Sequence, residues 1–217
     1  DAFLKFNEQD ILLDKGAIDR ELLYLKLQPF RLAWILYLIS ICIWLAPQKG
    51  SATNRGGSAK YFGGKKVELA ALSIFILGFG IHTFGFVLRI LVAGRPPVTN
   101  MYESIIWVAW ASAFFSLVFW LFYRSRLLLT IAACVATLGL LVGESFPTLL
   151  DPTISPLVPV LRSNYWLTIH VLTITLGYGA FLFNWGIAHA LLYCLAFSKK
   201  KEVTEHLTEY LYRSLQV

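Results

Sequence analysis

Residues 164–197 read NYWLTIHVLTITLGYGAFLFNWGIAHALLYCLAF, a run from Asn164 to Phe197 without a single Asp, Glu, Lys or Arg. It outruns the roughly 20 apolar residues that a helix needs to cross a bilayer, so it predicts one long membrane helix. That helix carries His170 about a turn and a half below its start. A buried imidazole in such a helix is costly to leave unpaired, which marks it as a candidate functional group. A histidine hydrogen-bonded to a neighbouring helix is the competing reading.

Working outward, the composition agrees with a membrane protein. The 217 residues are 57% hydrophobic and only 15% charged, with a mean hydropathy of +0.63. The apolar residues fall in long blocks, so membrane spans are what must be counted. The net charge of +6 fits basic loops at a membrane surface and is not read as nucleic-acid binding. Cys42, Cys134 and Cys194 all lie in apolar blocks and form no Cys-x-x-Cys pair. They predict structural thiols, without a disulfide framework or zinc site. The chain starts at Asp1 without a signal-peptide pattern and reads as a portion of something longer.

Residues 1–28 mix six acidic with four basic residues and predict an interfacial or extramembrane lead-in. Pro29 suits a helix start, and 29–46 reads as the first span. Residues 47–66, rich in Gly, Ser, Lys and Arg, predict a flexible polar loop. A second helix over 67–92 is closed by Gly94 and the Pro96-Pro97 pair. Asn100 is placed to cap a third helix, 101–123, with Glu103 completing a capping box. A tight turn at 124–126 leads to a fourth helix, 127–146, and the proline-rich stretch 147–164 precedes the fifth, 164–197. Residues 198–217 predict an amphipathic tail, with Val203, Leu207, Tyr210, Leu211 and Leu215 at helical spacing. The fold class is therefore all-α and polytopic, with about five transmembrane helices.

Five spans put the termini on opposite sides. The short loops on one side carry seven Lys or Arg and those on the other only three, Arg89, Arg95 and Arg162. The positive-inside rule then predicts an external N-terminus and a cytoplasmic tail. On that reading the turn 94–99, the loop 147–164 and His170 all lie on the external side of a cytoplasmic membrane.

Helical geometry gathers further candidates. At about 100° per residue, Thr173, Gly177, Asn184 and Ala188 fall within about 60° of His170 and predict a face turned toward protein. His189 is nineteen residues on, roughly 28 Å away, too far to share one metal with His170; it reads as an inner-interface residue. In the second helix, Gly78, His82, Gly85 and Arg89 share a face, with His82 near mid-membrane. Arg89, Arg95 and Arg162 could hold the carboxylates of an anionic ligand, although snorkelling explains Arg89 alone. No phosphate loop, His-Glu-x-x-His or nucleophile motif is present, so any chemistry must run through a bound group. An imidazole flanked by Tyr165 and Trp166 suits axial ligation and packing of a heme; an aromatic belt at the membrane interface explains the same rings.

Three segments carry a family resemblance. Pro97-Val98-Thr99-Asn100-Met101-Tyr102-Glu103-Ser104 resembles the Pro-x-Ser/Thr-Asn-Leu/Met-Tyr-Glu-Ser segment of the heme-handling proteins of cytochrome c assembly, the CcsA/ResC type. Residues 159–171, PVLRSNYWLTIHV, resemble the segment that introduces that family's first external histidine. Residues 82–89, HTFGFVLR, resemble the corresponding helix. The resemblance covers roughly 67–197 and implies a concrete role. Such proteins hold heme b, as substrate with its iron kept reduced, at an external site. They present it to apocytochrome c, whose Cys-x-x-Cys-His motif forms thioether bonds to the vinyl groups. On that resemblance His170 is an axial ligand of the heme iron. Among the residues gathered above, Arg89, Arg95 and Arg162 are then candidates for propionate contacts, His82 for an intramembrane heme contact, and Tyr165 and Trp166 for heme packing.

The family's Trp-Gly-x-Trp-Asp motif and its later histidines are absent from this chain. The resemblance therefore implies the front part of a larger holocytochrome c synthase, one not active alone, with a CcsB/ResB-like partner or the CcsA-like half of a fused synthase. A heme transporter or exporter subunit without attachment activity and a b-type heme membrane subunit are the alternative readings.

Overall fold

The protein is described from a computed structural model covering residues 16, 18–46, 65–154, 165–197 and 201–216, with the backbone alone considered at 65, 165–168, 201 and 202. The described residues are helical throughout apart from short turns, and contain no strand. The elements are α1 (Pro29–Leu45), α2 (Lys65–Ala93), α3 (Met101–Tyr123), α4 (Arg126–Ser145), α5 (Tyr165–Phe197) and α6 (Lys201–Ser214). Five helices are long and apolar enough to cross a membrane, the first counted from Ile18. The chain is an all-α, multi-pass membrane protein.

Each boundary has a local cause. Residues 18–27 are already helical and run into α1 through Gln28, which adopts φ 42, ψ 60. A residue before proline is pushed out of the right-handed helical region, so Pro29 bends the chain there without ending the hydrogen bonding. The Gln28 N–H still bonds Tyr24 O at 3.0 Å, and the N–H groups of Arg31 and Leu32 return to Gln28 O. The stretch predicted as an interfacial or extramembrane lead-in is thus, over 18–27, a bent extension of α1. Gly94, at φ +64, ends α2 with its N–H on Ile90 O at 2.8 Å. Only glycine takes that conformation without a steric penalty. Arg124 does the same for α3 at φ 50, its guanidinium 4.5 Å from the Trp120 ring.

α1 packs along α2 and α4, α3 along α4 and α5, and α5 carries α6. The backbones of α2 and α3 stay apart, and aromatic rings fill the space. Phe79 stacks on Trp110 at 5.4 Å, Trp110 on Trp107 at 4.9 Å, and Trp110 Nε1 donates to Thr83 Oγ1 at 2.8 Å. Elsewhere small residues bring backbones together, as membrane helix pairs require. A Cβ on Gly139 would lie 2.9 Å from that of Ala109, and one on Gly179 would overlap Ala111.

The α5–α3 contact corrects the predicted face of α5. Its buried residues are Thr175, Gly179, Phe183, Asn184, Gly186 and Ile187; of the predicted stripe only Asn184 is among them, Ala188 is half-buried, His170 and Thr173 are exposed, and Gly177 meets nothing within 4 Å. Gly179 lies nine residues from His170, about half a revolution around the helix. α5 carries two small-residue stripes, and it is the second that Ala111 receives. α6, the predicted amphipathic tail, folds back antiparallel to α5. Leu207 is fully buried beside Phe119, Leu128, Phe183 and Ile187, and Asn184 Nδ2 donates to Ser214 O at 3.3 Å. Leu215, expected on the same apolar face, is exposed.

Candidate functional site

The ends of α2 and α4, the starts of α1, α3 and α5, and the turn 146–154 meet at one end of the bundle, here the Pro97 end. Asn100 caps α3, its Oδ1 accepting from Glu103 N at 2.7 Å. The predicted capping box is only half formed, because the Glu103 carboxylate turns to other donors. It is fully buried and accepts from Thr99 N (2.8 Å), Thr99 Oγ1 (2.7 Å) and Arg95 Nη1 (3.0 Å) at Oε2, and from Arg89 Nε (2.9 Å) at Oε1.

Arg89 is as deeply buried as Glu103 and spends its remaining donors on the surrounding chain. Nη1 reaches Tyr24 Oη at 3.1 Å and Pro152 O at 2.9 Å, and Nη2 reaches Thr153 O at 3.2 Å. Its guanidinium also lies 5.2 Å from the Tyr102 ring. The planar fork of arginine suits this divergent set, where a lysine ammonium could not serve all of it. Arg89 is therefore neither a snorkelling side chain nor one aimed at an open anion pocket. Together with Arg95 it holds Glu103, and through Pro152 and Thr153 it ties down the turn 146–154. Asn100 Nδ2 adds a bond to Asp151 O at 3.3 Å. Donation from the Thr153 N–H and hydroxyl holds the Asp151 carboxylate below its ordinary pKa. Sequence reading cast Glu103 as a helix cap only; the available signal was an acid one turn into an apolar helix with two arginines shortly before it.

His82 is fully buried in the α1–α2 interface. Its ring stacks on Phe86 at 5.4 Å, meets Phe30 edge-on at 5.6 Å, and places Nδ1 3.4 Å from Tyr37 Oη. Nε2 is buried and lacks a hydrogen-bonding partner among the described residues. With rings on these sides, His82 packs as a core residue, and a macrocycle would have to displace Phe30 or Phe86 to reach it.

His170 stands differently. It is exposed and has no hydrogen-bonding partner among the described residues. It lies nine residues before Gly179, which packs on Ala111, and so stands toward the Pro97 end of the bundle. Below it, α3 and α5 enclose an apolar groove of about 730 Å³, lined by Met101, Ile105 and Val108 on one side and Tyr178, Phe181 and Trp185 on the other. The groove's upper edge on α5 is Thr175, about 7 to 8 Å below His170. An accessible imidazole above an apolar, aromatic-walled groove fits a flat, largely apolar macrocycle carrying a metal that takes nitrogen ligands. No group of three or more metal-ligating side chains occurs among the described residues. Tyr165 and Trp166 open α5, but their side chains, like all of Arg162, lie outside the described residues.

Residues 98–217 match the family described as Cytochrome C assembly protein. The chain is 37% identical to Protein NrfI of Wolinella succinogenes over 113 residues, 51% of this chain and 12% of that protein. It is 31% identical to the cytochrome c biogenesis protein CcsA of Chlamydomonas reinhardtii over 143 residues, 62% of this chain and 39% of that one. With CcsA of Microcystis aeruginosa the figures are 39% over 98 residues, 43% and 28%. The chain spans less than half the length of each of these relatives. The matched region contains Glu103, both walls of the groove and His170, and on that match the chain belongs to the cytochrome c assembly protein family.

Proposed function

We propose that this chain belongs to a cytochrome c synthase, lying in a bacterial cytoplasmic membrane with its Pro97 end on the external side. It takes heme b as substrate and holds it there for attachment to apocytochrome c. The observation that carries this reading is His170: an accessible imidazole about 7 to 8 Å above an aromatic groove, in a chain of the cytochrome c assembly family. In this account one imidazole nitrogen of His170 is an axial ligand of the heme iron, and Tyr165 and Trp166 flank the macrocycle. Arg162, on the segment leading into α5, pairs with the heme carboxylates. Arg89 and Arg95 act one step back, as positioning residues that fix Glu103 and the turn 146–154. His82 contributes packing.

The attachment itself is an addition. Each Cys thiol of the Cys-x-x-Cys-His motif adds across a vinyl group, its sulfur bonding one carbon and its proton going to the other, with no net oxidation. The protein's part is to hold the substrate in one orientation near the incoming thiols. The second axial ligand and the rest of the pocket come from the remainder of the synthase or from a CcsB/ResB-like partner. In the full-length protein, His170→Gly is expected to lower the yield of heme-stained cytochrome c at least tenfold, with recovery on adding imidazole to the medium. An undiminished yield would falsify the attachment role of His170. Lost yield with heme still bound and exported would point to transport as a separate activity.

A further inference from the structure

The end of the bundle opposite Pro97 carries a cavity that the site above does not use. It holds about 250 Å³ where the ends of α1 and α3 meet the starts of α2 and α4, and Trp44, Glu68, Trp120, Arg124 and Arg126 line it. At that size it is too small for a macrocycle and suits a small polar head. Trp44 is only 9% exposed, and its Nε1 is buried without a hydrogen-bonding partner among the described residues. A tryptophan of an interfacial belt keeps its N–H end wet, so a belt does not account for Trp44. An indole N–H only donates, and what it lacks is an acceptor.

The charges around the cavity extend the argument. Arg124 and Arg126 bring two guanidiniums to it, the first seated over the Trp120 ring at 4.5 Å. Glu68 lines the same cavity, yet it forms no ion pair with either arginine. A small cavity that keeps opposite charges apart is complementary to a ligand carrying both. A phosphodiester accepts from the guanidiniums and the indole, and an ammonium pairs with the carboxylate. The wall continues onto Leu69, 62% exposed on α2, an apolar edge along which an acyl chain can lie. A soluble phosphate ester makes no use of that edge.

We propose that this cavity binds a phospholipid whose headgroup carries a phosphodiester and a primary ammonium, as phosphatidylethanolamine does. In the orientation given above, the lipid comes from the cytoplasmic leaflet. The test titrates the full-length protein in detergent with phosphatidylethanolamine or phosphatidylglycerol and counts bound lipid by native mass spectrometry. Wild type is expected to prefer phosphatidylethanolamine. Trp44→Phe, which keeps the ring and removes the N–H, and Arg126→Gln should each weaken that binding about tenfold, as loss of a hydrogen bond to a charged group does. Glu68→Gln should erase the preference while phosphatidylglycerol still binds, an outcome that misfolding would not give. Wild-type affinity in both Trp44→Phe and Arg126→Gln overturns the site, as does a preference that survives Glu68→Gln. Displacement of the lipid by an equal concentration of glycerophosphoethanolamine overturns the lipid as occupant and assigns the cavity to a soluble phosphate ester.

Discussion

At the scale of single residues, the strongest commitment is the buried carboxylate of Glu103 between Arg89 and Arg95. Removing one partner of such a set leaves an uncompensated charge out of water, a loss of about 3–5 kcal/mol for a buried pair. Glu103→Gln is therefore expected to lower the thermal stability of the purified protein by that amount, seen as a fall in melting temperature in detergent. Arg89→Lys should recover only part of the wild-type stability, because one ammonium cannot serve Glu103, Tyr24, Pro152 and Thr153 together. The Asn100 cap was legible in the sequence, since its partner is three residues away. The role of Arg89 was not, because three of its acceptors come from 63 to 65 residues away. Charge and position told of an arginine near a membrane surface; only the assembled chain says what it holds.

At the scale of elements, α3 was legible to the residue, with Asn100 before it and the Arg124 turn after it. The facing of α5 was not. A helix apolar on every side gives no periodic signal to separate lipid from protein, so the choice fell to small residues, and two stripes of them were available. The correct stripe makes a direct prediction. Gly179→Leu should drive α5 from α3 and lower stability by about 1–3 kcal/mol, as overpacking does. Gly177→Leu, into open space, should leave the melting temperature near that of wild type. Reversed outcomes would return the packing seam to the His170 side. The bend at Gln28 was also missed, because a proline at a helix start and a helix continuing behind it look alike in sequence.

At the scale of the whole molecule, five spans could be read from charge-free length alone, and the sidedness rests on seven basic residues against three in the short loops. In a variant with Cys42, Cys134 and Cys194 replaced by Ala, Asp151→Cys should react with a membrane-impermeant thiol reagent on intact cells. Ser125→Cys should react only after permeabilisation, and the opposite pattern would invert the topology. The match over residues 98–217 links this architecture to cytochrome c assembly, and the proposal locates the chemistry at the exposed imidazole of His170. The most direct measurement is therefore the absorption spectrum of the full-length protein purified with its heme, wild type beside His170→Gly. The account predicts a bis-imidazole spectrum in the wild type, a Soret band weakened and shifted in His170→Gly, and its return when imidazole is added. A His170→Gly protein with the wild-type spectrum and heme content would contradict it.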